Sequence, residues 1–243
     1  IMVGKKNTLM PIKVKKLNLE KGHRKLLSDI SCEIKAQGIT IILGPNGAGK
    51  TLFLKCLHGL ISHSISEITF ANKSLNKSIR KQQSMVFQSP ILLRRSVFKN
   101  ISFALQQRTK IINKEKILKV LKRVDLLNLV NENAILLSGG EKQRLCLARA
   151  IVTLPKVLFL DEATSNLDPY SIQIIEKIIK EVNRKGTKVI AVTHDLLQAK
   201  RLADDIIFIN KGKMSEFTNA KIFFLKPKSL SLIHISEPTR QHH

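Results

Sequence analysis

The sequence predicts an α/β fold built on a mostly parallel sheet with a helical insert, and three observations carry that expectation. First, "GITIIL" (38–43), "KVLFL" (156–160), "KVIAVT" (188–193) and "DIIFI" (205–209) are near-continuous apolar runs rich in β-branched residues. Such runs suit parallel strands covered on both faces. Second, amphipathic helical patterns alternate with these runs, the signature of an α/β sheet. Third, the stretch from about 89 to 136 is helical and Lys-rich, as in "KEKILKVLKRVDLLNLV", which predicts an all-helical insert.

Taken in order, "IKVKKLNL" (12–19) and "ISCEI" (30–34) read as strands, and the alternation of the second suits a half-buried one. "GITIIL" feeds a Gly-rich loop and then "KTLFLKCLHGL", a helix with Gly59 near its end. In "PYSIQIIEKIIKEVNRKG", Ile172, Ile175, Ile178 and Val182 share one helical face and Gly186 is a stop signal. The chain shows no internal repeat and no long linker.

A length of 243 residues suits one domain with room for an inserted lobe. No uncharged apolar run approaches the ~18–20 residues that cross a bilayer, and the N-terminus lacks the apolar segment of a signal peptide. The chain begins at Ile1, which points to an incomplete or arbitrarily opened reading frame with Met2 or Met10 as candidate starts. Residues 230–240, "LSLIHISEPTR", read as the in-frame translation of a sequencing-library transposon adapter. The segment 230–243 is therefore set apart from fold reasoning, His242 and His243 are not counted as metal ligands, and the native C-terminus is expected to be missing. Cys32, Cys56 and Cys146 are scattered, without a C-x-x-C pair, which argues against a disulfide framework or a zinc site and favours a reducing compartment. The net charge of +24 is Lys-rich and spread along the chain, while aromatics make up only 5%. A base-stacking surface would interleave aromatics with the basic residues, so no specific nucleic-acid partner is expected.

"GPNGAGKT" (44–51) satisfies the phosphate-loop pattern G-x-x-x-x-G-K-[ST] between a strand and a helix, the context the pattern needs. Gly44, Pro45, Asn46, Gly47, Ala48 and Gly49 curl the backbone so that successive N–H groups face phosphate oxygens. Lys50 reaches the β- and γ-phosphates, and Thr51 offers its hydroxyl to Mg²⁺. "VLFLDE" (157–162) is an apolar strand ending in two carboxylates. Asp161 is expected to hold Mg²⁺ through its water shell and Glu162 to polarise the attacking water. "LSGGEKQRLCLARA" (137–150) opens a second helix with an anion-friendly N-terminus, at Ser138, Gly139 and Gly140.

These motifs, with Gln88 in "MVFQSP", "SNLD" (165–168) and His194 in "VTHD", stand in the order found in ABC transporter ATP-binding subunits, which the chain resembles from about 11 to 228. The resemblance implies a phosphate-loop NTPase core with a mostly parallel sheet, an antiparallel β subdomain and a helical subdomain inserted at about 89–153. It implies ATP and Mg²⁺ as cofactors. It also implies that Gln88 contacts Mg²⁺ or the water, that His194 holds the γ-phosphate, and that Asp168 couples two sites. Ser138, Gly139, Gly140, Glu141 and Gln143 would clasp ATP bound to a second, head-to-tail copy. Where this family usually places an adenine-stacking aromatic, the sequence reads "LEKGHRKLL", with Lys21 and His23.

With no transmembrane segment, the energy would pass to a separate permease docked near Gln88 and the lobe, at the cytoplasmic face of the membrane. A substrate-binding protein would be an indirect partner. "LHGL", "MVFQSPILLRRSVFKNISFAL" and "GTKVIAVTHDLLQAKRLADDIIFINKGK" resemble tungstate importer ATPases. Phosphate and other small-solute importers are the alternative, and a nucleic-acid-associated ABC ATPase is the alternative of another class.

Overall fold

In the computed structural model the described residues are 7–61, 67–109 and 111–225. The adapter-like segment and the candidate start Met2 lie outside them. The chain forms β1 (Ile12–Lys21), β2 (Arg24–Ile34), β3 (Ile39–Leu43), α1 (Lys50–His58), β4 (Glu67–Phe70) and β5 (Lys73–Ser74). It continues with α2 (Lys77–Arg80), β6 (Gln83–Val86), α3 (Val97–Thr109), α4 (Lys114–Arg123), a 3₁₀ turn (Leu127–Leu129) and α5 (Gly139–Ile151). The last part holds β7 (Val157–Asp161), α6 (Pro169–Arg184), β8 (Lys188–Val192), α7 (Leu196–Leu202), β9 (Asp205–Asn210), β10 (Lys213–Asn219) and α8 (Ala220–Leu225).

Six strands form one sheet in the order β10-β9-β3-β8-β7-β6, parallel throughout except for β10 at its edge. Every residue of β3, β7 and β8 is buried, which explains their uninterrupted apolar sequences. A second sheet, β2-β1-β4-β5, is antiparallel. One apolar core lies between the parallel sheet and the helices of the middle of the chain; it joins Ile41, Leu43, Leu158 and Leu160 to Ile101, Leu121, Leu145 and Ile175. The other core joins the opposite sheet face, through Ile42, Phe159 and Ile190, to α1 and the antiparallel sheet.

The expected strands and helices are present, but β2 starts at Arg24 rather than at Ile30, because its full length pairs with β1. In α6 the inward stripe is Ile175, Ile178, Ile179 and Val182, while Ile172 is only half-buried. A helical face about 100° wide takes in neighbouring positions, so Ile179 joins the buried set. Strand β6 is absent from the sequence expectation because "QSMV" is short and partly polar, yet it forms the edge beside β7. Cys32, Cys56 and Cys146 are free thiols. No helix among the described residues is long and apolar enough to cross a membrane.

Candidate functional site

The carboxyl ends of neighbouring parallel strands lie side by side, the edge at which open α/β sheets bind ligands. Strand β3 runs into the phosphate loop at Gly44, β6 into Gln88, β7 into Glu162 and β8 into His194. The ladder continues past the strand ends, since the Glu162 N–H donates to the Val192 carbonyl at 3.1 Å and the Thr193 N–H to the Ile42 carbonyl at 3.3 Å.

At the start of the loop, a Cβ on Gly44 would lie 1.9 Å from the Ile209 carbonyl oxygen, so only glycine lets the chain turn there. Helix α1 starts at Lys50 with no side-chain cap, which leaves its first N–H groups directed at the loop's cavity. That cavity, of about 210 Å³, is lined by residues 46–52 and Glu162. The Lys50 Nζ donates to the carbonyls of Gly44 (2.8 Å) and Pro45 (2.9 Å). Burial lowers its pKa, opposed by the charges of Glu162 and Asp161. The Thr51 hydroxyl donates to Asp161 Oδ1 at 2.6 Å. Burial raises the pKa of Asp161, opposed by that hydrogen bond and by Lys55 and Lys50.

Glu162 has φ of +45°, a left-handed conformation uncommon for a side chain of this size. Its Oε2 gathers three neighbours: Gln88 Nε2 at 3.1 Å, the Ser165 hydroxyl at 3.0 Å and His194 Nδ1 at 3.3 Å. The motifs of Gln88, Glu162 and His194 are separate in the sequence; the fold brings Gln88 and His194 to one oxygen of Glu162. Ser165 completes the cluster and was missed, although it sits in the quoted "SNLD".

Ligand chemistry fits this donor set. Backbone N–H groups and Lys50 suit a polyphosphate, and the oxygens of Thr51 and Asp161 with Gln88 suit Mg²⁺. Among the described residues no three His, Cys, Asp or Glu side chains cluster as a metal cage. Mg²⁺ needs none, because it binds through one or two protein oxygens plus substrate phosphates.

The signature residues are elsewhere: none of residues 138–143 lines the phosphate-loop cavity. Ser138 caps α5 in a closed box, accepting from the Glu141 N–H at 3.3 Å while its own N–H donates to Glu141 Oε2 at 2.8 Å. A Cβ on Gly140 would stand 2.3 Å from the Ser171 hydroxyl and 2.5 Å from Asp168 Oδ2. Asp168 in turn caps α6, accepting from the Ser171 N–H at 2.8 Å. Nothing lies within 4 Å of the corresponding position on Gly139. Gln143 is buried, and its amide donates to the Phe87 carbonyl at 3.0 Å, so in the single chain it faces inward. Arg149 donates to the Ile91 carbonyl at 2.6 Å. Helix α5 thus holds the segment around Gln88 through the carbonyls of Phe87 and Ile91.

A phosphate loop, a strand-end carboxylate pair and a second helix-borne Ser-Gly-Gly set define an ABC-type ATPase. The ABC transporter family pattern matches residues 27–165, and the chain belongs to that family, as an ATP-binding subunit that uses ATP with Mg²⁺. The phosphate import ATP-binding protein PstB of Campylobacter jejuni is 37% identical over 234 residues, covering 90% of this chain and 95% of the relative. The tungstate uptake system ATP-binding protein TupC of Peptoclostridium acidaminophilum is 35% identical over 210 residues, covering 85% and 98%. Among solved structures, cbiO1 of Clostridium perfringens, part of the ABC transporter complex cbiONQ, is 28% identical with a TM-score of 0.79, covering 93% and 95%. Likeness to a phosphate relative is thus at least as strong as the likeness to a tungstate one.

Proposed function

We propose that the protein is the ATPase of an importer for a tetrahedral oxyanion, tungstate or phosphate, acting on the inner face of the membrane as a pair of copies bound to a permease. The ATPase unit spans 11–228, with the helical lobe at about 89–153. The observation that carries the reading is the convergence of Gln88, Ser165 and His194 on Glu162 Oε2 beside the phosphate loop. Glu162 Oε1 takes no hydrogen bond among the described residues, so it is the oxygen left to accept a proton from water.

In this reading the loop N–H groups and Lys50 hold the β- and γ-phosphates, and Thr51, Asp161 and Gln88 hold Mg²⁺, which neutralises charge on the phosphate oxygens. His194, half exposed beside Glu162, positions the γ-phosphate. Ser138, Gly139, Gly140 and Glu141 close the site of a second copy. Gln143 acts through Phe87, and Asp168 acts by fixing α6 against α5. The two named relatives with phosphate and tungstate in their descriptions support the substrate class.

Reconstitution into liposomes with a permease and binding protein of a phosphate or tungstate importer tests this. ATP turnover is expected to rise with binding protein loaded with tungstate or phosphate and to ignore DNA and RNA. Stimulation by nucleic acid, falling steeply with salt, would contradict the reading.

A further inference from the structure

Nothing in the nucleotide site calls for a net charge of +24. Basic residues are spread along the whole chain, but acidic ones are not: residues 68–114 contain no Asp or Glu, while Lys and Arg recur through them. A basic stretch unbroken by acids draws an anionic surface. It ends at the tip of the helical lobe, in the short link between α3 and α4. Ile111 is 71% exposed there and Ile112 49%, and neither packs against either apolar core. The link does not need them for its shape. The Thr109 hydroxyl bonds the Ile111 carbonyl at 3.0 Å, and Asn113 caps α4 by accepting from the Lys116 N–H at 2.8 Å. Lys99 and Gln106 share the outward face of α3, and Lys114 opens α4. Lys99 and Lys114 are exposed, and neither belongs to an ion pair among the described residues. Glu115, the first acid beyond the basic stretch, is already held by Lys119 at 2.6 Å.

We infer that the tip of the helical lobe docks on an anionic lipid bilayer, with Ile111 and Ile112 in the head-group layer and Lys99 and Lys114 against the lipid phosphates. This goes beyond the transport reading, in which the permease holds the chain at the membrane, and adds a contact with lipid made by the chain itself. A bilayer suits both halves of the surface: its phosphates attract the lysines, and its acyl boundary accepts aliphatic side chains. Nucleic acid would use only the charge, because an isoleucine offers no ring to stack on a base. A second copy would bring the same positive charge against it. Two isoleucines bury too little area to hold the chain alone, so attachment needs the apolar tip and the charge together.

The chain has no tryptophan, so Ile111→Trp places a single fluorescent reporter at the tip. With phosphatidylglycerol-containing vesicles and no permease, its emission should shift to the blue and be quenched by brominated acyl chains. Leu197→Trp, at a comparably exposed position on α7, should show neither effect. In sedimentation, the unsubstituted chain should bind phosphatidylglycerol-containing vesicles at least ~tenfold tighter than pure phosphatidylcholine ones. Lys99→Gln with Lys114→Gln, and separately Ile111→Ser with Ile112→Ser, should each weaken that binding by about three- to tenfold. Lys177→Gln with Lys180→Gln, on exposed positions of α6, should leave it unchanged. Melting temperature and ATP hydrolysis in solution should not move in any of these variants. No preference for the anionic vesicles, no blue shift at position 111, or binding that ignores the isoleucine pair overturns the inference. Equal losses from the two lysine pairs also overturn it, because diffuse charge would then be the whole attraction. So does binding of single-stranded RNA that falls with the isoleucine pair, which would make nucleic acid the occupant. Each of these failures leaves the transport reading standing; that reading fails instead if loaded binding protein does not raise ATP turnover.

Discussion

The two helix N-termini that carry glycine-rich motifs are built on opposite plans. At α1 the loop folds back on its own chain: Lys50 bonds the carbonyls of Gly44 and Pro45, Thr51 bonds Asp161, and Glu162 closes the cavity. At α5 the cap is equally well made, through Ser138 and Glu141, yet Gly139 faces open space. Glycine costs a helix roughly 0.5–1 kcal/mol relative to alanine, and no contact within the single chain accounts for its use at 139. Gly140, one residue on, is required by Asp168 and Ser171 of its own chain. The contrast teaches that one motif is finished within the subunit, while the other leaves Gly139 without a neighbour in the single chain, as the proposed pairing of two copies requires.

Substitutions at the two helix ends put that contrast to the test. The largest effect is expected at the finished end. Glu162→Gln should lower ATP turnover by ~10²–10⁴-fold while leaving ATP binding intact, because it removes a positioned base and keeps the shape of the cluster. Steady-state hydrolysis and equilibrium titration together check it, and near-normal turnover would take Glu162 out of that role.

At the other end the adjacent glycines should separate by stability. Gly140→Ala forces a methyl into Asp168 and Ser171 and should cost about 1–3 kcal/mol in denaturant unfolding. Gly139→Ala should be neutral or stabilising by up to ~1 kcal/mol. Equal losses at both positions would erase the distinction between them.

The smallest effect concerns the base rather than the phosphates. No aromatic lines the phosphate-loop cavity, and Lys21 and His23 are exposed in the β1–β2 turn. Lys21→Tyr should tighten ATP by ~0.5–1.5 kcal/mol through stacking and favour ATP over CTP. Unchanged affinities for both nucleotides would show that the turn does not reach the base.

Much of this was legible in the sequence because the motifs are local. "GPNGAGKT" needs only its own backbone and the helix after it, and "VLFLDE" declares its strand by five buried apolar or terminal positions. The convergence on Glu162 Oε2 was not legible, since Gln88 and His194 reach it from the ends of two other strands, and only the register of β6, β7 and β8 aligns them. The inward turn of Gln143 was hidden for a similar reason: its partner is the Phe87 carbonyl, 56 residues away. Short polar strands such as β5 and β6 take their structure from neighbours rather than from their own pattern, so periodicity passed over them.

The central claim is that Gly139 belongs to a contact made by a second copy. The direct measurement is molecular mass by light scattering, with and without ATP–Mg²⁺, in the Glu162→Gln protein, where ATP persists. That protein should be monomeric without nucleotide and dimeric with it, because ligand bound between two copies stabilises their association. Adding Gly139→Arg should abolish the ATP-induced dimer while the monomer keeps its melting temperature and its ATP affinity. A double variant that dimerises as well as its parent would contradict the account, and would make the open glycine a feature of the single chain after all.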